Sequence, residues 1–121
     1  MNTNPTPKAY AICHLTEVDF GPEIIEYLEK IDATLAPYDG QFIVHGGNAE
    51  VAEGELPGDI VIIEFPSAVA AREWWASPAY QAIKHLRIEH SSSTAALLTG
   101  VKPGHQATDK LAELLGQAKS A

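Results

Sequence analysis

The chain has 121 residues, of which 45% are hydrophobic. This is enough for one domain with its own core, and the composition excludes a disordered chain. The formal net charge is −8, and an acidic surface repels nucleic acid and anionic membranes, so we expect neither as a partner. Cys13 is the single cysteine, no apolar run could cross a bilayer, and the first residues lack the apolar core of a signal peptide; we therefore expect a cytoplasmic protein.

The first predicted element follows a polar, proline-bearing segment, residues 1–7, which we expect to be a flexible tail. Residues 8–18 then predict a strand with Tyr10, Ile12 and His14 on one face and small residues on the other. A turn leads into a helix over residues 22–36, with Pro22 at its first position and apolar residues three and four apart.

Residues 40–67 predict two strands joined by a tight turn. Asp59–Phe65 is β-branched and apolar apart from its acids, which is typical of a central strand. In the first strand, Gly46 and Gly47 indicate a bulge, after which residues 49–53 resume the strand. A tight turn at residues 54–58 then brings the double glycine beside residues 64–66, which places His45 near Glu64.

The second half of the chain predicts two short helices, a last strand and a terminal helix. The helices are expected at residues 67–76 and 78–90, each with a capping serine at its start, and the strand at residues 94–101. Residues 102–121 form a linker and an amphipathic helix with three leucines on one side. That leucine stripe must cover either the chain's own core or a partner subunit.

The order of these elements predicts a ferredoxin-like α+β fold, β-α-β-β-α-β, over residues 8–101, with a four-stranded antiparallel sheet and helices on one face. The other face carries Tyr10 and Ile12 and is too apolar to remain in water. Stacking with a second copy would cover this face, so we predict a homodimer through the open sheet face.

A family resemblance covers residues 10–101. Its segments are YAICHLTEVD, YDGQFIVHGG, EVAEG, VIIEFPS, the stretch A-x-x-W-W-x-S-P-x-Y-Q-A-I-K-x-L-R, and LLTGV. In order and spacing they resemble the domain-of-unknown-function 1330 family of the dimeric α+β barrel superfamily, which implies this fold and a dimer. Relatives in that superfamily include cofactor-independent monooxygenases, small isomerases and haem-binding enzymes. His45 stands where such sequences often carry Arg, which weakens an anion-binding role at this position.

The candidate catalytic residues are Tyr10, His45 and Glu64. Glu64 is a lone acid among apolar strand residues, and a carboxylate in that setting favours a general acid or base. The alternative is a strand-end carboxylate that is solvated or paired with Arg87 or a lysine. Tyr10 should lie opposite Glu64 if the first and third strands pair antiparallel, and the two could equally form a catalytic pair or a hydrogen bond without a catalytic role.

The candidate ligand-binding residues are Gly46, Gly47, Trp75, Tyr80 and Arg87. The glycines would let a ligand approach the backbone, the aromatic residues would shape an apolar pocket, and Arg87 would neutralise Glu64 or an acidic ligand. The reading we favour is a small-molecule-binding dimer, either a cofactor-independent enzyme that uses the tyrosine, histidine and glutamate for proton transfer or a protein that only handles the ligand. No zinc-like spacing, phosphate loop or dinucleotide fingerprint is present, so we predict no metal and no cofactor.

Two other functions fit the same residues. In the first, the protein is a non-catalytic ligand-binding or regulatory dimer, and the polar residues only satisfy one another at the interface. In the second, it binds haem through a helix histidine, either His85 or His90, although an exposed histidine on a helix is far commoner than an iron ligand.

Overall fold

The computed structural model describes residues 6–47 and 49–120; most of the predicted N-terminal tail lies outside them. The elements are β1 Ala9–Thr16, α1 Pro22–Leu35, β2 Gln41–His45, β3 Asp59–Phe65, α2 Ala68–Ala76, α3 Pro78–Ile88, β4 Ser92–Thr99 and α4 Ala107–Ser120. The four strands form one antiparallel sheet in the order β2-β3-β1-β4. The predicted ferredoxin-like α+β fold is confirmed.

The helix starts follow the predicted chemistry. Pro22 lies in the first turn of α1, where its missing N–H costs nothing. The Ser67 hydroxyl accepts a hydrogen bond from the Ala70 amide at the start of α2, and the Ser77 hydroxyl accepts one from the Tyr80 amide at the start of α3. Each bond satisfies a backbone donor that has no partner within its helix, so the break between α2 and α3 is set by Ser77 and the proline after it.

The pairing of β1 with β3 confirms the predicted register: Ile12 lies opposite Ile62, and Tyr10 lies opposite Glu64. Because side chains alternate along a strand, these four residues share one sheet face. The other face carries Ala11 and Cys13 of β1 and the residues opposite them in β3, Ile63 and Val61, and the helices pack against it. We call the first the open face, and its apolar centre consists of Ile12, Val44, Ile60, Ile62, Ala96 and Leu98.

The prediction for β2 was wrong. β2 ends at His45, and the described residues between 46 and 58 form no strand, so residues 49–53 do not resume it. An irregularity between Phe42 and Val44 shifts the register, which places His45 opposite Val61 and Gln41 opposite Glu64. The Gly46 amide then donates to the Ile60 carbonyl at 2.9 Å. The double glycine therefore lies at the start of β3, and His45 does not lie beside Glu64.

Gly58 explains how the long connection returns to the sheet. Its φ is 79°, a conformation that glycine adopts without strain, and a Cβ there would lie 2.1 Å from the Leu15 carbonyl oxygen. The backbone can thus pass directly beside the end of β1. The His14 ring fixes the same region, because its Nε2 lies 2.6 Å from the Pro57 carbonyl oxygen.

The core lies between the helices and one face of the sheet. Its largest buried side chains are Phe65, Trp74 and Tyr80. The Trp74 ring lies 4.2 Å from the Tyr80 ring and 5.4 Å from the Phe65 ring, and its indole N–H donates to the Thr34 hydroxyl at 3.0 Å. This bond satisfies the only polar atom of Trp74, so the ring can be buried without an unpaired donor.

The terminal helix α4 remains apart from this core. Its leucine stripe, Leu111, Leu114 and Leu115, is 49–54% exposed, so the chain's own core does not cover it. The prediction that a partner subunit covers this leucine stripe remains to be tested. Among the described residues, no helix has the length and apolar character needed to span a bilayer.

Candidate functional site

A cavity of about 280 Å³ opens between the helices and the helix-covered face of the sheet. Its walls are mainly apolar and aromatic, with side chains from α1, α2, α3 and all four strands. Small residues of β1 and β4 form its floor, which is why space remains beneath the helices: Ala11, Cys13 and Ala95. Such a hollow with few polar groups is the usual setting for a small-molecule site.

The polar wall of the cavity is a hydrogen-bonded group on α1, α3 and β4. Arg87 donates from one terminal nitrogen to the Ser93 hydroxyl at 2.7 Å and from the other to the Tyr80 hydroxyl at 3.2 Å. The Tyr80 hydroxyl in turn lies 2.9 Å from the Tyr27 hydroxyl. Tyr27, Tyr80 and Arg87 all line the cavity, so a guest would meet this group.

Arg87 is a buried cation with an exposed fraction of only 5%. It forms no ion pair with any carboxylate of the described residues. Burial acts to lower the pKa of Arg87, but the interaction with the Tyr80 hydroxyl oxygen, which accepts a hydrogen bond from the guanidinium, outweighs it, so the guanidinium stays charged. A buried charge without an opposite charge is costly, and its position on the cavity wall favours an anionic guest.

Three of the predicted site residues lie at the β2 side of the cavity. His45, Gly46 and Gly47 line it, together with Phe42, whose ring stacks on that of His45 at 4.3 Å. The irregularity in β2 puts Phe42 and His45 on the same face although they are three residues apart. His45 is exposed, so its ring stands at the rim, where it can exchange protons with solvent.

Tyr10 and Glu64 lie on the open face, with the thickness of the sheet between them and the cavity. The Glu64 carboxylate accepts a hydrogen bond from the Lys8 ammonium at 3.2 Å. Arg87 is therefore not the counter-charge of Glu64, because the two side chains are on opposite sides of the sheet. The structure brings His45, Trp75, Tyr80 and Arg87 together but separates them from Tyr10 and Glu64.

Sequence reasoning missed Tyr27 and Ser93 as members of the site. Tyr27 falls at the three- and four-residue spacing of the apolar residues of α1, although its hydroxyl distinguishes it from the others. A tyrosine on the buried face of a helix must find a partner for that hydroxyl, and this was the available signal. Cys13, predicted as a small core residue, lines the cavity and is half-buried.

The histidines considered as haem ligands lie away from the cavity. His85 is exposed on α3, and His90 lies with its Nδ1 3.8 Å from the Asp19 carboxylate; neither lines the cavity. Within residues 6–47 and 49–120, no three histidine, cysteine or acidic side chains form a group able to hold a metal ion.

Comparison with known families decides the family. The sequence matches the model of the domain of unknown function DUF1330 over residues 8–101. The chain belongs to the DUF1330 family. No curated protein sequence matches it.

Solved structures similar to this DUF1330 protein share its fold at low sequence identity. A protein of unknown function from Rhodopseudomonas palustris is 16% identical, with a TM-score of 0.59 over 84% of this chain and 88% of that one. A dimeric ferredoxin-like protein of unknown function from a Jannaschia species is 14% identical, with a TM-score of 0.59 over 75% and 97%. SnoaB, a cofactor-independent oxygenase from Streptomyces nogalater, is 18% identical, with a TM-score of 0.55 over 84% and 100%.

The buried tyrosine predicts how stability depends on pH. Burial and the neighbouring Tyr80 raise the pKa of Tyr27 above its ordinary value of 10.0, and Arg87 opposes them. The unfolded chain therefore loses this proton first, so the free energy of unfolding should fall as the pH rises above 10, by up to about 1.4 kcal/mol per pH unit. Urea unfolding at several pH values from 9 upwards measures this fall, which should be smaller in Tyr27→Phe.

The thiol of Cys13 would contribute to the same fall, because burial raises its pKa despite the opposing charge of Arg87. The protein with Tyr27 and the Tyr27→Phe variant should therefore both be measured with Cys13→Ala also present. Parallel pH curves for the Cys13→Ala protein and for Cys13→Ala with Tyr27→Phe would contradict the prediction.

Proposed function

We propose that this DUF1330 protein is a homodimer that binds a small, mostly apolar molecule with a negatively charged group in the cavity of each subunit. The observation that supports this most directly is Arg87, a buried cation on the cavity wall without an ion-pair partner among the described residues. A folded chain tolerates such a charge at a cost, and an anionic guest would offset that cost. The aromatic walls would supply the apolar contacts.

The homodimer is supported by the open face. Its central residues are apolar and are half-buried or exposed in the single chain, with Leu98 50% exposed. Stacking two such faces would remove this apolar surface from water, which is the main driving force for association. The similar protein from Jannaschia is described as dimeric, which adds support at the level of the fold.

The protein would in addition be an enzyme that needs no cofactor, and the observation that favours this is the position of His45. The imidazole stands at the cavity rim, and histidine is the side chain best suited to proton transfer near neutral pH. SnoaB is a cofactor-independent oxygenase on the same fold, but likeness at this level does not transfer an activity. Catalytic roles for Tyr10 and Glu64 stay a prediction and would act at the dimer interface.

The binding proposal is tested with two aromatic probes of similar size, 2-naphthoate and naphthalene-2-methanol. Their binding is followed by quenching of the fluorescence of Trp74 and Trp75, which line the cavity. We expect the anion to bind about tenfold more tightly than the neutral alcohol, since a charge-assisted bond contributes roughly 1.5 kcal/mol or more. In Arg87→Met this preference should disappear, because the variant keeps an unbranched, flexible side chain but not its charge.

The matched control is Arg72→Met, since Arg72 is the only other arginine of the chain and is exposed. It should leave the preference unchanged. Arg87→Met should remain folded, because removal of a buried unpaired charge offsets the loss of its hydrogen bonds to Ser93 and Tyr80, and circular dichroism checks this. Equal affinities of the two probes for the wild-type protein would contradict the proposal.

A further inference from the structure

The hydroxyl group of Tyr27 is the end of a chain of donors that begins at Arg87. The Tyr80 oxygen accepts a hydrogen bond from Arg87 at 3.2 Å and lies 2.9 Å from the Tyr27 oxygen. Neither hydroxyl has a further acceptor among the described residues, because the other group that interacts with them, Arg87, can only donate. The direction of the bond between the two tyrosines therefore decides which hydroxyl hydrogen remains without an acceptor.

Burial decides that direction. Tyr80 is 1% exposed, whereas Tyr27 is half-buried and faces the cavity. If Tyr27 donated to Tyr80, the hydrogen of the fully buried hydroxyl would have no acceptor, which is costly. The favourable arrangement is the opposite one, with Arg87 donating to Tyr80, Tyr80 donating to Tyr27, and the Tyr27 hydrogen free to point into the cavity.

We propose that Tyr27 is the group that recognises the ligand, and that the ligand presents a single ionised hydroxyl oxygen, as a phenolate or an enolate does. This inference rests on the proposed function, since it assumes that the cavity binds an anion. The hydroxyl of Tyr27 offers one hydrogen and therefore matches one oxygen of the ligand. Arg87 is a positioning residue in this arrangement, because its two terminal nitrogens already donate to Ser93 and to Tyr80, and it acts on the ligand through the Tyr80 hydroxyl.

Two features strengthen the donor. Hydrogen bonds in a row polarise one another, so the charge of Arg87 makes the Tyr27 hydroxyl a better donor than an isolated phenol. Burial raises the pKa of Tyr27, so the hydroxyl keeps its hydrogen at neutral pH. An oxygen that becomes negative on a bound molecule would be stabilised at this point, which is the arrangement that chemistry through an enolate needs.

The experiment uses 4-nitrophenol, whose ionised form absorbs visible light, so its ionisation can be followed when it is bound. With the full-length wild-type protein we expect the pKa of bound 4-nitrophenol to fall by about one unit, which corresponds to a tenfold preference for the phenolate. Tyr27→Phe should still bind the neutral phenol but lose this shift. Arg87→Met should reduce the shift as well, because the chain of donors loses its charge.

Tyr38→Phe is the matched control, since Tyr38 packs against the core without lining the cavity, and it should retain the full shift. An equal shift in Tyr27→Phe and wild type would overturn the assignment of Tyr27. If 2-naphthoate binds in preference to its alcohol but the pKa of bound 4-nitrophenol does not change, the inference fails and the proposed function stands. If neither probe binds, both fail.

Discussion

Replacing Ile62 by Glu should convert the proposed dimer into single subunits. Ile62 lies in the middle of the open face, between Val44 of β2 and Ile12 of β1. In a dimer, the substitution would bury an unpaired carboxylate from each subunit, at a cost of at least about 3 kcal/mol. The dissociation constant should therefore rise at least ~100-fold. Light scattering coupled to gel filtration measures the mass at micromolar concentration.

The control for this substitution is Ile25→Glu, because Ile25 is an isoleucine of α1 that is 43% exposed and does not line the cavity. This variant should keep the mass of the wild-type protein. Circular dichroism should show both variants folded, since Ile62 is only half-buried in the single chain. A dimeric mass for folded Ile62→Glu would show that the open face is not the interface.

Replacing Trp74 by Ala should cause the largest loss of stability among the core substitutions considered. The ring is 2% exposed and packs between Phe65 and Tyr80. Truncating a buried tryptophan typically costs about 3–5 kcal/mol, because apolar contacts are lost and a void remains. This is a large part of the total stability of a small domain, about 5–15 kcal/mol. Urea unfolding followed by circular dichroism measures the loss.

Trp75→Ala provides the comparison within the same helix. Trp75 is half-buried, whereas Trp74 is 2% exposed, so the removal of Trp75 takes less apolar surface from the core. The loss of stability should be less than half of that for Trp74→Ala, whereas binding of 2-naphthoate should be weakened. Equal losses in the two variants would mean that Trp74 does not hold the core together.

The fold could be predicted because its signals are local. Residues 59–65 are bounded by Gly58 and Pro66 and match β3 residue for residue. Two capping serines fixed the starts of α2 and α3. The end of β2 could not be predicted in the same way, because a double glycine is compatible with both a bulge and a stop. Gly46 and Gly47 have φ values of 71° and 92°, and in this chain they end the strand.

The candidate site could be predicted only in part because it depends on which side chains face each other. Tyr80 and Arg87, both predicted as ligand-binding residues, lie about two turns apart on one helix, and a hydrogen bond joins them. The bond between Tyr27 and Tyr80 joins residues 53 positions apart, so only the packing of α1 against α3 reveals it. Because the predicted register of β2 was wrong, the sequence placed His45 beside Glu64, whereas the residue lies at the rim of the cavity.

The alternation of side chains along β1 has a genetic consequence. Tyr10 and Ile12 belong to the face that would meet a second subunit, whereas Ala11 and Cys13 belong to the floor of the cavity. Under the proposed function, neighbouring codons of one strand specify separate properties, self-association and choice of ligand. Natural variants could change which molecules fit the cavity by changing every second residue of β1, without touching the face proposed for association.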